Sequence, residues 1–388
     1  MATLLVIIYI VFISLGLPDS LFGVSWPVVH EEFCLPERFA SVYSIIIALC
    51  TGGVSFFAGK MIRKFGTGKV TFFSTLLTAV GLVGISISPN IWVMMVFSVI
   101  LGYGAGAIDT GLNNYVSLHY EAKHMNWLHC FWGLGVTVSP IIMSVFLDGQ
   151  SGNWRNGYRV IALVQFAIAM IVLATLRKWH PDSADHTNPE NQAPDKSFRE
   201  LIRQKGVRTS ILSLGLYFAG ESILGTWGAT YAVNVFQCSP DAAAKWVSLY
   251  YGGIMLGRIV SGFASSKVSD DWLVKSGSIA AALGVILLLL PIGTLALGGL
   301  LLIGFGFGPI FPSVIHSVPS RFGTDYSADL TGFHMGGSYM LGYPLQLIFG
   351  FIAASTSFSI MPYVLLLLCG AVLITNTITL NELKKHCV

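Results

Sequence analysis

Apolar residues run through the chain in segments of about twenty, and short polar stretches separate one segment from the next. A helix needs about 20 apolar residues to cross the hydrocarbon core of a bilayer. The alternating ten-residue pattern of a membrane β-barrel is absent from the sequence. The pattern therefore predicts an all-α membrane protein with twelve transmembrane helices, near residues 3–29, 39–62, 69–88, 91–118, 123–147, 156–178, 207–236, 242–266, 272–292, 294–318, 327–352 and 357–380.

One long hydrophilic stretch interrupts this pattern, between His180 and Lys205. It leaves six predicted spans on each side. The sequence thus predicts a six-helix bundle over 1–179, a linker over 180–205, and a second bundle over 206–388. The last part of the linker, from Ser197 onward, is expected to form a short amphipathic helix.

The two halves repeat each other. The fourth span contains the glycine-rich run 101–109, and the tenth contains a similar run over 303–311. A histidine opens both the fifth and the eleventh span, at His129 and His334, and each is followed by a proline at nearly the same spacing. Duplication of this kind predicts two pseudo-symmetric bundles with a substrate site near the midplane.

Composition excludes a water-soluble fold. Charged residues make up only 11% of the chain and hydrophobic residues 54%, with a mean hydropathy of +0.71. Soluble domains carry about 25% charged residues. Seventeen Lys and Arg residues lie in loops on one side of the predicted spans and four on the other. Because positive loops stay inside, the sequence predicts a multi-pass protein of the cytoplasmic (inner) membrane with both termini in the cytoplasm.

Glycine runs at 102–106 and 304–308 look at first like nucleotide-binding loops, but such loops need a strand, a turn and a helix. Inside predicted spans they are typical of helix-packing surfaces. The sequence shows no Walker lysine, metal-ligand cluster or nucleophile triad. We therefore expect no enzymatic activity, no metal or other cofactor, and no nucleic-acid partner.

Three carboxylates lie well inside predicted spans, at Asp19, Asp109 and Glu221. Charge at membrane depth is costly and is usually kept for function, so these three are the candidates for ion coupling. Asp109 shares a helical face with Asn113, one turn later. The alternative for each is a structural contact between helices. The buried Arg258 requires an acid or carbonyl partner, and a structural role is favoured for it.

Several polar and aromatic side chains could line a path for a polyhydroxylated solute. Some are candidates for hydrogen bonding and others for stacking against a sugar ring, and packing or structural hydrogen bonding is the alternative for all of them. The candidates are Asn113, His129, Trp132, Trp227, Tyr231, His334, Ser338, Tyr339 and Gln346.

The loop after the second span, Gly-Lys-Met-Ile-Arg-Lys-Phe-Gly-Thr-Gly-Lys over 59–69, resembles the major facilitator signature Gly-x-x-x-Asp-Arg-x-Gly-Arg-Lys. Arg63 stands where that signature has Asp. A degenerate copy follows the eighth span at 262–267. The resemblance implies the major facilitator fold of two six-helix bundles.

Shorter motifs resemble the fucose–proton symporter branch and its sodium-dependent glucose-transporter-like relatives. They are Gly-Leu-Pro-Asp at 16–19, Ile-Asp-Thr-Gly-Leu-Asn-Asn at 108–114, Asn-Trp-Leu-His at 126–129, Gly-Arg at 257–258 and Pro-Ile-Phe-Pro at 309–312. The resemblance implies cation-driven uptake of a hexose-like sugar, with Asp19 and Asp109 in the places of the coupling acids. It favours a proton over sodium as the coupling ion.

Other functions with the same fold stay open at this point. They are proton-antiport efflux of drugs or metabolites and carriage of a lipid or glycolipid. A non-transporting receptor would belong to another class, but the linker is too short for a soluble signalling domain. We expect a monomer that is surrounded by membrane lipid and binds a small solute, a monosaccharide.

Overall fold

The computed structural model describes residues 2–19, 21–35, 39–147, 153–179, 196–237, 240–290 and 292–384. Within these residues the secondary structure is helical, without a β-strand. The helices of the first half are α1 (Ala2–Asp19), α2 (Leu21–Glu32), α3 (Phe39–Phe65), α4 (Thr67–Ser86), α5 (Ile91–His119), α6 (Ala122–Leu147) and α7 (Trp154–Ala174).

The second half follows the same plan. Its helices are α8 (Phe198–Leu201), α9 (Val207–Phe236), α10 (Pro240–Ala264), α11 (Asp270–Leu288), α12 (Gly293–Phe307), α13 (Ile310–His316), α14 (Val318–Phe322), α15 (Ser327–Ser355) and α16 (Met361–Lys384). The first predicted span is divided between α1 and α2, and the tenth between α12 and α13. The short helix predicted at the end of the linker is α8.

Internal contacts divide the chain into two compact units. The first consists of 1–115 and 128–193, and the second of 116–127 and 194–388. In the first unit α4 packs against α7, and α1 also contacts α7. In the second unit α9 packs against α15 and α16, while α12 lies between α10 and α11. The end of α5 and the beginning of α6 thus belong, by their contacts, to the second unit.

Seven described helical segments are long and apolar enough by themselves to cross a membrane. They are Ile45–Phe65, Thr67–Ser86, Ile91–His119, Trp154–Ala174, Asp270–Leu288, Gly293–His316 and Phe358–Lys384. The other predicted spans correspond to α1 with α2, and to α6, α9, α10 and α15. Of these, α9, α10 and α15 carry Glu221, Arg258 and His334 among their apolar residues, which lowers their mean hydropathy.

The glycine runs of the fourth and tenth spans allow close helix packing, as predicted. A Cβ atom on Gly106 would lie 2.3 Å from the carbonyl oxygen of Thr51 on α3. One on Gly304 would lie 2.1 Å from the carbonyl oxygen of Tyr250 on α10. Both contacts are with backbone atoms, which cannot turn aside as a flexible side chain can. The packing interpretation of these glycines is confirmed.

We expect Gly304→Ala to destabilise the second unit, because the new methyl group forces α10 and α12 apart. Overpacking of this kind costs about 1–3 kcal/mol, and it should lower the thermal unfolding midpoint in detergent. The matched control is Gly298→Ala on the same helix, where no atom lies within 4 Å of the added Cβ. Equal midpoints for the two variants would contradict the close α10–α12 contact.

Candidate functional site

The helices α1 and α6 approach each other through two glycines. A Cβ atom on Gly16 would lie 2.3 Å from the carbonyl oxygen of Trp132, and one on Gly135 would lie 2.1 Å from that of Ile13. Any larger residue at either position would separate the two helices. This contact brings the end of α1 beside the middle of α6.

Asp19 is the last residue of α1 and follows Pro18, which lies inside the helix. Its carboxylate accepts a hydrogen bond of 2.8 Å from the indole Nε1–H of Trp132. The Asp19 side chain is exposed, and Trp132 is half-buried. A charge-assisted hydrogen bond of this length fixes the direction of the carboxylate, while the exposure leaves one face of it open to a ligand.

A second carboxylate, Asp109 on α5, lies in a chain of hydrogen bonds. The Asn113 side-chain amide donates to Asp109 Oδ1 at 2.8 Å and to the Asp109 carbonyl at 2.9 Å. The amide oxygen of Asn113 lies 3.1 Å from His129 Nε2 on α6. The amide nitrogen of Asn113 faces Asp109, so the amide oxygen is the atom that faces His129. This oxygen can only accept, and Nε2 of His129 is therefore the donor. All three residues are buried.

His129 and Trp132 lie nearly one turn apart on α6, so this helix contacts Asp19 directly and is linked to Asp109 through Asn113. The His129 ring also packs edge-on against Phe12 of α1, with 5.5 Å between the ring centroids. We call the five residues Asp19, Asp109, Asn113, His129 and Trp132 the N-terminal polar cluster. It joins two acids, an amide, an imidazole and an indole from the first, fourth and fifth predicted spans within a single unit.

The third predicted carboxylate, Glu221 on α9, faces the buried arginine of α10. Glu221 Oε1 lies 3.9 Å from Arg258 Nη2, and Arg258 is only 5% exposed. The Tyr250 hydroxyl donates to the Glu221 carbonyl at 3.5 Å. The ion pair supplies the acid partner that a membrane-buried arginine requires. Taken together, the two side chains carry no net charge.

The two aromatic candidates on α9 pack inside the second unit. Trp227 lies against Phe358, with 5.6 Å between the ring centroids. The hydroxyl of Tyr231 donates to the carbonyl of Leu288 at 3.3 Å, and its ring packs against Phe236. These contacts correspond to the packing alternative for both residues.

The candidates on α15 divide into two sets. Nδ1 of His334 donates to the Leu330 carbonyl at 2.7 Å, and Nε2 therefore accepts from the Ser210 hydroxyl at 2.9 Å. The Ser338 hydroxyl donates to the Met335 carbonyl. Both side chains are fully buried, so their polar atoms serve the bundle itself.

Tyr339 and Gln346 form the other set on α15. The Tyr339 ring packs against Phe218 of α9 at 5.0 Å between centroids, and against Tyr343 at 6.2 Å. Gln346 is 8% exposed. Tyr339 is thus packed against α9, which corresponds to the packing alternative for this residue.

Two ion pairs in the second unit were not predicted from the sequence. Nδ1 of His316 lies 2.7 Å from Asp270 Oδ2, and Arg321 forms an ion pair with Asp271. The signal in the sequence is two adjacent acids before the ninth span and two basic residues, one in the last turn of the tenth span and one after it. Because consecutive spans run antiparallel, the beginning of the ninth span lies near the end of the tenth. These ion pairs could therefore have been predicted from the sequence.

No group of three His, Cys, Asp or Glu that could hold a metal ion occurs among the residues the structure describes. The helical fold, with acids inside its apolar spans, defines a polytopic α-helical membrane protein. The chain belongs to the Major Facilitator Superfamily, whose family model matches residues 8–346. The predicted family and fold class are confirmed, and the protein is a transporter rather than an enzyme.

Several curated relatives are named as sugar transporters. The chain is 26% identical over 317 residues to the glucose/mannose transporter GlcP of Bacillus subtilis, covering 78% of this chain and 77% of that protein. It is 22% identical over 296 residues to a glucose/galactose transporter of Brucella abortus, covering 70% of each.

The fold is similar to that of the Escherichia coli fucose:proton symporter FucP. The crystal structure of FucP in the outward conformation superposes with a TM-score of 0.83 at 15% sequence identity, covering 97% of this chain and 98% of FucP. At this identity the similarity establishes the fold alone.

We expect Asn113→Ala and His129→Ala to be coupled in a double-mutant cycle. Each single change leaves the partner's buried polar atom without its hydrogen bond, at a cost of about 1–3 kcal/mol, and the second change then costs less. The measurement is unfolding by SDS in mixed micelles. As a control, His129→Ala should be additive with Ser98→Ala, because Ser98 bonds Tyr43 and Met94 instead. Additivity in the first cycle would contradict the hydrogen-bonded chain.

The ion pair between Glu221 and Arg258 gives a further prediction. Glu221→Gln and Arg258→Gln should each lower stability strongly, by about 3–5 kcal/mol, because each leaves a buried charge without its partner. The double variant should recover much of that loss. The same unfolding assay measures all three proteins. If the double variant is as unstable as the sum of the singles, the two charges do not stabilise each other.

Proposed function

We propose that this protein is a proton-coupled uptake transporter for a monosaccharide of the hexose type, acting in the cytoplasmic membrane with both termini in the cytoplasm. The observation that carries the proposal is the N-terminal polar cluster. In it Asp109 is hydrogen-bonded to Asn113, and Asn113 to His129, while Asp19 is hydrogen-bonded to Trp132. The names of the curated relatives support the sugar, and the loop charges support the orientation.

The contacts of Asp109 favour a proton over sodium as the coupling ion. The atom that Asn113 presents to the carboxylate is a donor N–H. A sodium ion needs several oxygen ligands around it, often from unwound helix backbone, whereas α5 is continuous through Asp109. A proton needs only the one acid. Asp109 is therefore our candidate for the residue that takes up and releases the coupling proton.

The same cluster offers groups that a sugar recognises. Asp19 is exposed and held by Trp132, so the carboxylate can accept hydrogen bonds from sugar hydroxyls while the indole offers an apolar face. Asn113 and His129 are buried against each other, which favours a role beside the proton rather than in direct sugar binding. Substrate and proton would then meet on α6, at Trp132 and His129.

Glu221 has a different role in this proposal from that of the other two acids. Protonating it would leave the charge of Arg258 buried without a counter-charge, which costs several kcal/mol. We assign the pair to structural support of the second unit. The proposed mechanism is alternating access by a monomer, in which the loaded and empty states of Asp109 stabilise opposite conformations.

We expect purified protein in proteoliposomes to accumulate a labelled hexose when an inward proton gradient is imposed. Glucose, mannose and galactose are the first probes. Asp109→Asn should abolish accumulation, so that the sugar reaches equal concentrations on both sides, because the amide cannot carry the proton. Sugar exchange without a gradient should persist in this variant, since substrate binding needs no net proton movement.

The control is Glu31→Gln, which neutralises an exposed acid at the end of α2 and should leave accumulation unchanged. Accumulation that survives in Asp109→Asn would remove Asp109 from the coupling path. Absence of hexose movement in folded protein, with or without a proton or sodium gradient, would contradict the sugar proposal. Solute exit driven by acidification of the opposite side would identify an efflux carrier instead.

A further inference from the structure

A cavity of about 620 Å³ lies outside the polar cluster, where the end of the linker meets α9 and α16. Arg203 and Lys205 from the linker and Arg208 from the first turn of α9 contribute its positive charges. The acid in its wall is Glu382, near the end of α16. The cavity is thus built from one stretch of the chain, 203–209, and from Glu382 of α16, which is distant in sequence.

The basic side chains of this cavity are not neutralised by the rest of the bundle. Arg203 and Lys205 are exposed, and within the described part of the chain neither forms an ion pair with a carboxylate. Nε of Arg208 donates to the carbonyl of Ile202 at 3.1 Å, which holds its guanidinium beside the linker. Three cationic groups therefore converge on one concave surface.

The single acid is already engaged by the protein. One oxygen of Glu382 accepts from the Gly206 backbone N–H at 2.8 Å and from the Thr209 hydroxyl at 3.3 Å. Thr379 donates to the Thr209 hydroxyl at 2.9 Å. Glu382 thus caps the first turn of α9, and the cavity as a whole retains an excess of two positive charges.

The linker segment that carries Arg203 and Lys205 is anchored on the bundle. Ser197 and Glu200 form a capping box at α8, and hydrogen bonds from the Ser197 backbone and hydroxyl lower the pKa of the Glu200 carboxyl. The Phe198 ring packs edge-on against Phe333 of α15 at 4.7 Å between centroids. The basic groups are thus presented by a fixed segment rather than by a loose loop.

We propose that this cavity is a binding site for a phosphate monoester. A phosphate monoester carries a charge of about −1.5 to −2 at neutral pH, which matches the excess of two positive charges, whereas a phosphodiester carries one negative charge. Arginine side chains bind phosphate oxygens through short charge-assisted hydrogen bonds. The volume is within the range of about 300–1,000 Å³ that small-molecule sites occupy.

Two sources supply such a group on the cytoplasmic face, where the loop charges predict this cavity to lie. One is a soluble phosphorylated metabolite, and the other is a lipid whose headgroup is a phosphate monoester, as in phosphatidic acid. The chemistry of recognition is the same for both. The site is independent of the coupling residues and of the proposed substrate.

The test uses the full-length protein and a charge-matched pair of variants. Binding of glucose 6-phosphate and of inorganic phosphate is measured by calorimetry in detergent, with glucose as the uncharged control. Retention of phosphatidic acid against phosphatidylglycerol is measured by native mass spectrometry. Arg203→Gln with Lys205→Gln removes two charges from the cavity, and Arg199→Gln with Lys267→Gln removes two exposed charges elsewhere.

We expect the cavity variant to weaken binding by about tenfold or more for each charge-assisted hydrogen bond that is lost, and the control pair to leave it nearly unchanged. Glu382→Gln keeps the acceptor for Gly206 and removes the competing negative charge, so it should bind the phosphate monoester more tightly. A purely structural role for these residues would not produce that increase.

The calorimetry and the mass spectrometry together also distinguish whether the phosphate group belongs to a soluble metabolite or to a lipid. Binding of glucose 6-phosphate that depends on Arg203 and Lys205 supports a soluble ligand, and selective retention of phosphatidic acid with the same dependence supports a lipid. Equal losses in the cavity and control variants would overturn the proposal, as would the absence of both kinds of binding. Neither result depends on whether the protein transports a hexose.

Discussion

Burial of polar groups in a hydrocarbon environment is the constraint that organises this protein. A charged or hydrogen-bonding side chain inside a membrane-spanning helix has no water to bind, so it must find its partner within the protein, on its own helix or on a neighbouring one. The pair of Glu221 and Arg258, the bond between Trp132 and Asp19, and the chain from Asp109 through Asn113 to His129 all satisfy this demand. Each of them also fixes which helices are neighbours.

Close backbone contact makes these polar pairs possible. Side chains as short as those of Asp and Asn reach a neighbouring helix only when the two backbones lie near each other. Gly16 and Gly135 permit this between α1 and α6, where Asp19 meets Trp132. Glycines in the membrane thus act on function indirectly, by setting the distance over which the polar groups of the site can interact.

The three acids within predicted spans are equivalent in the sequence and different in the structure. Asp19 is exposed and bonded to an indole, Asp109 is buried against an amide, and Glu221 faces a guanidinium. These surroundings separate a candidate for sugar binding, a candidate for proton transfer and a structural charge pair. His334 makes the same point, because both of its ring nitrogens are used within the bundle, although by sequence it is the counterpart of His129.

The sequence by itself determined the membrane class, the helical fold, the repeated halves and the family, because span length, hydropathy and loop motifs are local properties of the chain. It also identified Asp19, Asp109 and Glu221, since charge is conspicuous against an apolar background. Only the tertiary structure decided the partners of Asp19 and Glu221, which lie on other helices: Asp19 bonds Trp132, which is 113 residues away in the chain. The basic residues Arg203, Lys205 and Arg208 are close together in the sequence, but only the structure places Glu382 of α16 beside them and closes the cavity.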